Sequence, residues 1–236
     1  MILNLRTVSV AALMVSGLAL SGCKLGGGGG VPPIAAPDLD PSPPMEGPFQ
    51  ASYAGTMQGN IYGDGDGQMN ADTARPVSGT FQGDLTVDVN YTPQSPGSSG
   101  NGAEVIANAT NFTGRARPDR DVDQNNGSDG FIDLEFDGEL AGTGTVREGV
   151  TGVDFSMSGT LTPRPVGQQP SGSDIGDSSF VELQFDGTFL GEDREQLHGT
   201  FEGNATDVGP CPQAPDSSCG PEGIGGTFLL DKQDPK

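Results

Sequence analysis

From Val77 to Tyr91 every second residue is apolar or glycine: Val77, Gly79, Phe81, Gly83, Leu85, Val87, Val89 and Tyr91. Between them stand Ser78, Thr80, Gln82, Asp84, Thr86, Asp88 and Asn90, all polar. A period of two is that of an extended strand, whose side chains point alternately to opposite faces, so this stretch has one dry face and one wet face. The same rhythm recurs in Tyr53/Gly55/Met57/Gly59/Ile61, Ile132/Leu134/Phe136/Gly138/Leu140 and Val153/Phe155/Met157/Gly159/Leu161. It returns in Val181/Leu183/Phe185/Gly187/Phe189, Leu197/Gly199/Phe201/Gly203/Ala205 and Ile224/Gly226/Phe228/Leu230. Residues 103–114 fit it less cleanly and make a further strand. The expectation is about eight strands, with no helical stripe beyond the first 22 residues.

Glycine is the signature of the dry face. Asp137-Gly138 and Asp186-Gly187 could each be a hairpin turn, but a turn would send Phe189 to the opposite face from Phe185. Reading straight through keeps both inside and places these glycines within long, curved strands. An eight-stranded barrel is just wide enough to be filled by its own side chains, and glycine alternating with Phe, Leu and Val suits that filling. An internal repeat, residues 131–142 against 180–191, adds to the picture of an antiparallel meander closing on itself. The predicted fold is therefore all-β: an antiparallel, Gly-rich, up-and-down barrel of about eight strands with a filled interior. Loops are expected at 93–102 and 163–177, rich in Pro, Ser, Gly and Gln. A membrane-spanning barrel would need a continuous apolar outer band with aromatic girdles; here the apolar face is glycine-rich, and the chain has no Trp and three Tyr.

The N-terminus has its own logic. Arg6 precedes an apolar run from Val8 to Leu20 that is too short to span a bilayer comfortably, and Leu20-Ser21-Gly22 leads into Cys23. That ending resembles the lipobox of bacterial lipoproteins, which implies cleavage before Cys23 and attachment of lipid to its thiol. Acyl chains burying methylenes at about 0.8 kcal/mol each would anchor the chain to a membrane. Lys24 follows, where the enteric pattern implies transfer to the outer membrane. The organisation expected is a signal peptide over 1–22, a lipid-anchored, disordered Gly/Pro-rich tether over 23–50, and a barrel domain over 51–236. Removing Cys23 leaves Cys211 and Cys219, an even pair in one Pro-rich loop and in a compartment where disulfides persist, so these two are expected to be bridged. Eleven Lys and Arg stand against 32 Asp and Glu, a formal charge of −21, and loss of Arg6 makes it one unit more negative. Such a chain repels nucleic acid and anionic headgroups.

Gly199-Thr200-Phe201-Glu202-Gly203-Asn204-Ala205, followed by Glu222-Gly223-Ile224-Gly225-Gly226-Thr227-Phe228, resembles the closing hairpin of the barrels of transferrin-binding protein B and related surface lipoproteins. Those end in Gly-x-Phe-x-Gly-x-x-Ala, an acidic residue and Gly-Gly-x-Phe. The resemblance implies an outer-membrane barrel lipoprotein. It does not imply transferrin binding, because this chain has room for one barrel and no evident handle domain, and no position here matches the binding loops of that family.

For chemistry the sequence offers little. Asp121, Asp123, Asn125 and Asp129 alternate around a glycine turn and could offer hard oxygens to Ca²⁺, the one cofactor that comes into question. The EF-hand template, however, wants glycine where Asn126 stands and a Glu where Ile132 stands, and a solvated acidic loop needs neither. His198 is the only histidine and is read as an exposed strand residue. One His and no free thiol leave zinc sites and Cys-His catalysis without ligands, and nothing singles out a pair of carboxylates. The expected function is that of a monomeric, non-enzymatic, outer-membrane lipoprotein presenting loops to a protein or small-molecule ligand in nutrient or metal uptake. The alternative is a structural or adhesin-like envelope lipoprotein with Ca²⁺-stiffened loops.

Overall fold

The alternating segments form nine strands in the computed structural model, which describes residues 30–62, 77–93, 103–116, 132–167, 178–207 and 222–234. They are β1 (Phe49–Tyr62), β2 (Val77–Tyr91), β3 (Ala103–Ala116), β4 (Ile132–Asp137), β5 (Leu140–Val146), β6 (Gly152–Pro165), β7 (Ser179–Leu190), β8 (Gln196–Asp207) and β9 (Glu222–Lys232). All pairings are antiparallel, and β9 returns to β1, with Met57 opposite Phe228, so the ring closes. Both β4 and β5 lie between β3 and β6, as two halves of one stave. Nine strands thus make eight staves of one closed ring.

The two Asp-Gly positions behave differently. Gly187 sits within β7 and is buried, and Phe185 and Phe189 both point inward. Gly138 separates β4 from β5, is exposed and has φ +127°, a backbone state open to glycine and strained for other residues. The chain continues in one direction there, but Gly138 is not on the dry face, so the sequence repeat is not a structural one at this point. The imperfect rhythm of β3 also has a cause. Val105, Ala107 and Ala109 point inward, then Phe112 does, one residue late. Asn111 supplies the extra residue at φ 56°, with its amide donating to Asp84 Oδ2 at 2.8 Å, which is a bulge.

Strand β6 runs through Pro163 and Pro165, past the point where a loop is expected. Its pairing with β7 ends at Leu161–Ser179, so among the described strands only β4 pairs with it beyond that point. Val166 N donates to Asp133 O, and by alternation the two proline nitrogens face away from β4, to the side where no described strand pairs with them and a missing N–H costs no described ladder bond.

The core is the barrel's interior. Phe155 and Phe185 stack at 4.5 Å between ring centres, and Phe185 also meets Phe201 at 5.2 Å and Phe228 at 5.7 Å. Phe81 lies 5.8 Å from Phe201. Met57, Leu85, Val87, Leu183, Leu197 and Leu230 fill in around these rings, all buried. Outward-facing Gln82, Asp84, Thr86, Asp88 and Asn90 are exposed, the inverse of the apolar outer band that a membrane-spanning barrel requires.

The Gly/Pro-rich segment 23–50 differs from expectation from residue 30 onward. Residues 30–48 are not a free tether but a strap lying on the barrel, and β1 begins at Phe49. Val31 N donates to Asn60 Oδ1 at 2.8 Å, Gln58 Nε2 donates to Pro32 O at 2.7 Å, and Ile34 N donates to Thr227 Oγ1 at 2.7 Å. Further along, Ser42 N meets Phe189 O at 2.9 Å and Met45 N meets Gly149 O at 2.8 Å. Prolines suit such a strap, because a segment with few N–H groups leaves few donors unsatisfied when it is laid on a wall.

Candidate functional site

The residues of the Gly-Phe motif form one hairpin of β8 and β9. Across it Gly199 faces Phe228, Phe201 faces Gly226, Gly203 faces Ile224 and Ala205 faces Glu222, while Gly225 faces Glu202. Glycine opposite phenylalanine lets each ring lie over the neighbouring strand. A Cβ on Gly226 would stand 2.5 Å from Phe201 Cζ and 2.2 Å from Gln58 O, and one on Gly199 would stand 2.8 Å from Phe228 Cζ and 2.0 Å from Asp186 O. Gly203 differs, because its missing Cβ faces only backbone, Glu182 O at 1.9 Å and Leu183 Cα at 2.9 Å. The motif is thus a packing device of the barrel wall, and Gly225, on the outer side, has only ordinary contacts, the nearest at 3.7 Å.

The two ends of the barrel are unlike. At the upper rim Tyr62 pairs with Val77, Ala116 with Ile132, Leu161 with Ser179 and Ala205 with Glu222. The connections 63–76, 117–131, 168–177 and 208–221 all leave from this rim. Asp121, Asp123, Asn125 and Asp129 belong to the second of them and Cys211 and Cys219 to the fourth; these six residues and Cys23 lie outside the described residues.

The lower end, or base, is closed by side chains. Tyr53 and Phe189 lie 5.5 Å apart, Phe49 and Phe189 5.6 Å, and all three are buried. Over them sits Arg194, 3% exposed, whose Nε donates to Val150 O at 3.1 Å and whose Nη2 donates to Pro43 O in the strap. Its guanidinium lies 5.6 Å from the Phe49 ring centre, as does Lys232 Nζ, within cation–π range. The Tyr53 hydroxyl donates to Arg194 O at 2.9 Å, and burial pushes its pKa well above the ordinary tyrosine value, with the Arg194 charge opposing. Arg194 and Val150 both have positive φ, at 57° and 52°, strain that these bonds hold in place. The arginine binds the base together; it does not await a ligand.

On the outer wall of β5 to β8 lies an open depression of about 530 Å³, lined by Thr143, Ser156, Gln184, Thr200 and Glu202 over the backs of Phe155 and Phe185. At its edge Arg147 forks onto Asp154, Nε to Oδ2 at 3.0 Å and Nη2 to Oδ1 at 2.7 Å, and also meets Asp186 at 2.7 Å. The bond to Asp154 leads the effects that raise the Arg147 pKa above the usual guanidinium value, so the charge is permanent and internally matched. Arg115 pairs with Asp133 and Arg164 with Asp137, so the described wall presents no unmatched arginine to an anion. Among the described residues no three His, Cys, Asp or Glu side chains come together. His198 is half-buried under the strap, its Nε2 3.4 Å from Ile34 O, rather than exposed on an open wall.

Sequence reasoning missed the strap and the buried Arg194. Alternation reports which face is dry but not what covers the wet one, and an arginine in a turn gives no sign of being buried. In comparisons with known proteins the chain matched no family model, no curated protein and no solved structure.

Proposed function

We propose that the protein is a lipid-anchored, non-enzymatic outer-membrane module that binds a protein or small molecule on the outside of its barrel, in the service of nutrient or metal uptake. The observation that carries this reading is the filled interior. Phe81, Phe155, Phe185, Phe201 and Phe228 occupy the volume where a hollow barrel would hold a ligand, so binding falls to the surface. Four connections leaving one rim on a rigid, closed wall are an arrangement on which recognition can be varied without disturbing the core. The lipobox-like ending at Cys23 supports the anchor, and the Gly-Phe hairpin supports kinship with barrel lipoproteins of the transferrin-binding protein B type.

The test exchanges residues 118–130 and 168–177 for Gly/Ser runs of equal length in the full chain. The expected result is an unchanged melting curve with lost growth under the nutrient or metal limitation in which deletion of the protein slows growth. Deletion without effect under every such limitation, or full complementation by the exchanged chain, would contradict the proposal.

A further inference from the structure

The first half of the strap repeats in threes. Val31, Ile34 and Pro37 are half-buried, whereas Pro32, Pro33, Ala35 and Ala36 are exposed. Three residues per turn is the period of a polyproline II helix, and the sequence prescribes that conformation. Each proline fixes its own φ, and Val31, Pro32 and Ala36 each precede a proline, which turns them from the helical region toward the extended one. One ridge of the helix therefore faces the barrel.

A polyproline II segment makes no internal hydrogen bonds, so its backbone groups are open to be read from outside, and the wall reads them. The Asn60 amide takes both groups of Val31, accepting from its N–H at 2.8 Å and donating to its carbonyl at 3.2 Å. Gln58 Nε2 donates to Pro32 O at 2.7 Å, Ile34 N donates to Thr227 Oγ1 at 2.7 Å, and His198 Nε2 lies 3.4 Å from Ile34 O. These side chains belong to three adjacent strands, β1, β9 and β8. The surface they occupy is neutral: the outward residues of β1 from Gln50 to Asn60 and of β9 from Gly223 to Leu229 carry no charge, in a chain of formal charge −21. The strap residues Val31 to Pro37 carry none either. Contacts to backbone groups ask for a conformation and a spacing of three rather than for one particular sequence.

The two halves of the strap are held differently. Asp40, Ser42 and Met45 join the base through backbone bonds, next to the buried side chains of Ser42 and Arg194. The bonds that hold Val31, Pro32 and Ile34 run to side chains on an outer wall, so this half can lift while the other stays. We propose that this wall is a receptor for proline-rich segments: residues 31–37 occupy it in cis, and a proline-rich segment of a partner protein, with an apolar residue at every third position, takes it when they lift. A cis occupant lowers the apparent affinity for the partner to the fraction of time that the wall is bare, which makes the strap a built-in competitor. The inference goes beyond the uptake reading and rests on none of the rim connections.

Fluorescence anisotropy of the full chain with labelled synthetic peptides tests this. One peptide is Gly-Val-Pro-Pro-Ile-Ala-Ala-Pro, the sequence of residues 30–37, and a second, Leu-Pro-Pro-Val-Pro-Pro-Leu, keeps only the spacing. Val31→Ser with Ile34→Ser weakens the cis occupant and should tighten the binding of both peptides by about tenfold or more over wild type. Adding Asn60→Ala and Thr227→Ala should abolish that gain while the melting curve shows the barrel still folded. The reordered peptide Val-Ile-Gly-Pro-Ala-Pro-Ala-Pro should bind about tenfold more weakly or worse, a comparison that needs no wall variant. No binding of either periodic peptide by the Val31→Ser/Ile34→Ser chain at millimolar peptide overturns the proposal, as does equal binding of the reordered peptide or binding that survives the wall substitutions. A wild-type dimer that Val31→Ser/Ile34→Ser dissolves overturns it too, by giving the wall to the strap of a second copy.

Discussion

Gly226 and Gly225 are neighbours in one strand, and the structure gives them opposite tolerance of a single methyl group. In Gly226→Ala the new Cβ would lie 2.2 Å from Gln58 O, 2.5 Å from Phe201 Cζ and 2.7 Å from Gly59 Cα. Backbone on β1 and a packed ring must both move, and Phe201 is itself held by Phe81 and Phe185. Overpacking of this kind costs about 1–3 kcal/mol. Alanine restricts the unfolded chain more than glycine does, which offsets about 0.4–1 kcal/mol. A net loss of about 1–2 kcal/mol remains, or about 2–8 °C in Tm for a chain of this length. In Gly225→Ala the nearest atoms are Tyr62 Cε2 at 3.7 Å and Phe201 O at 3.8 Å, ordinary contacts, so only the unfolded-state gain survives. That variant should be neutral or stabilised by about 0.4–1 kcal/mol. Urea melts of both, read at the midpoint with m unchanged, decide the matter. A Gly226→Ala protein as stable as wild type would refute the close approach of β1, β9 and the Phe201 ring, and with it the filled interior.

Arg194→Lys removes the planar fork that binds Val150 O and Pro43 O and should cost about 1.5–3 kcal/mol, with faster proteolysis between Pro41 and Phe49 as the strap lifts; unchanged proteolysis would contradict the clamp. Tyr53→Phe should cost about 0.5–1.5 kcal/mol at neutral pH through its lost bond to Arg194 O. Because burial raises the folded pKa of Tyr53, its contribution is full below the unfolded value of about 10 and is lost as pH rises from there toward the folded value. Wild type should therefore lose stability more steeply above pH 10 than Tyr53→Phe, and parallel curves would count against a buried hydroxyl. Cys211 and Cys219 should be found bridged by mass spectrometry of the non-reduced exported protein, and two free thiols would contradict that pairing.

The barrel was legible because the dry face of each stave is continuous in the sequence. Phe81, Leu85, Val87 and Val89 in β2 and Val181, Leu183, Phe185 and Phe189 in β7 all point inward as their spacing predicts. The pairing of Gly199 with Phe228 and of Gly226 with Phe201 is also foreshadowed, since a ring every second residue needs a partner strand with room for it. The features that stayed hidden depend on relations between segments. The bulge at Asn111 shows in the sequence only as a lapse of rhythm. The strap has no apolar period, because it is held by side chains such as Asn60, Gln58 and Thr227 that alternation marks simply as outward. Arg194 is buried by Pro43 and Val150, which close over it from distant parts of the chain. The depression near Arg147 likewise arises from four staves, none of which carries a motif for it.

Whether this filled barrel is carried at a membrane by lipid on Cys23 is decided by the N-terminal peptide of the protein isolated from its native membranes. Mass spectrometry should find the chain beginning at Cys23 with a diacylglyceryl thioether, and Cys23→Ser should leave an uncleaved precursor without lipid. A chain that still begins at Met1, or one that begins at an unmodified Cys23 and is recovered free of membrane, would contradict the lipid anchor.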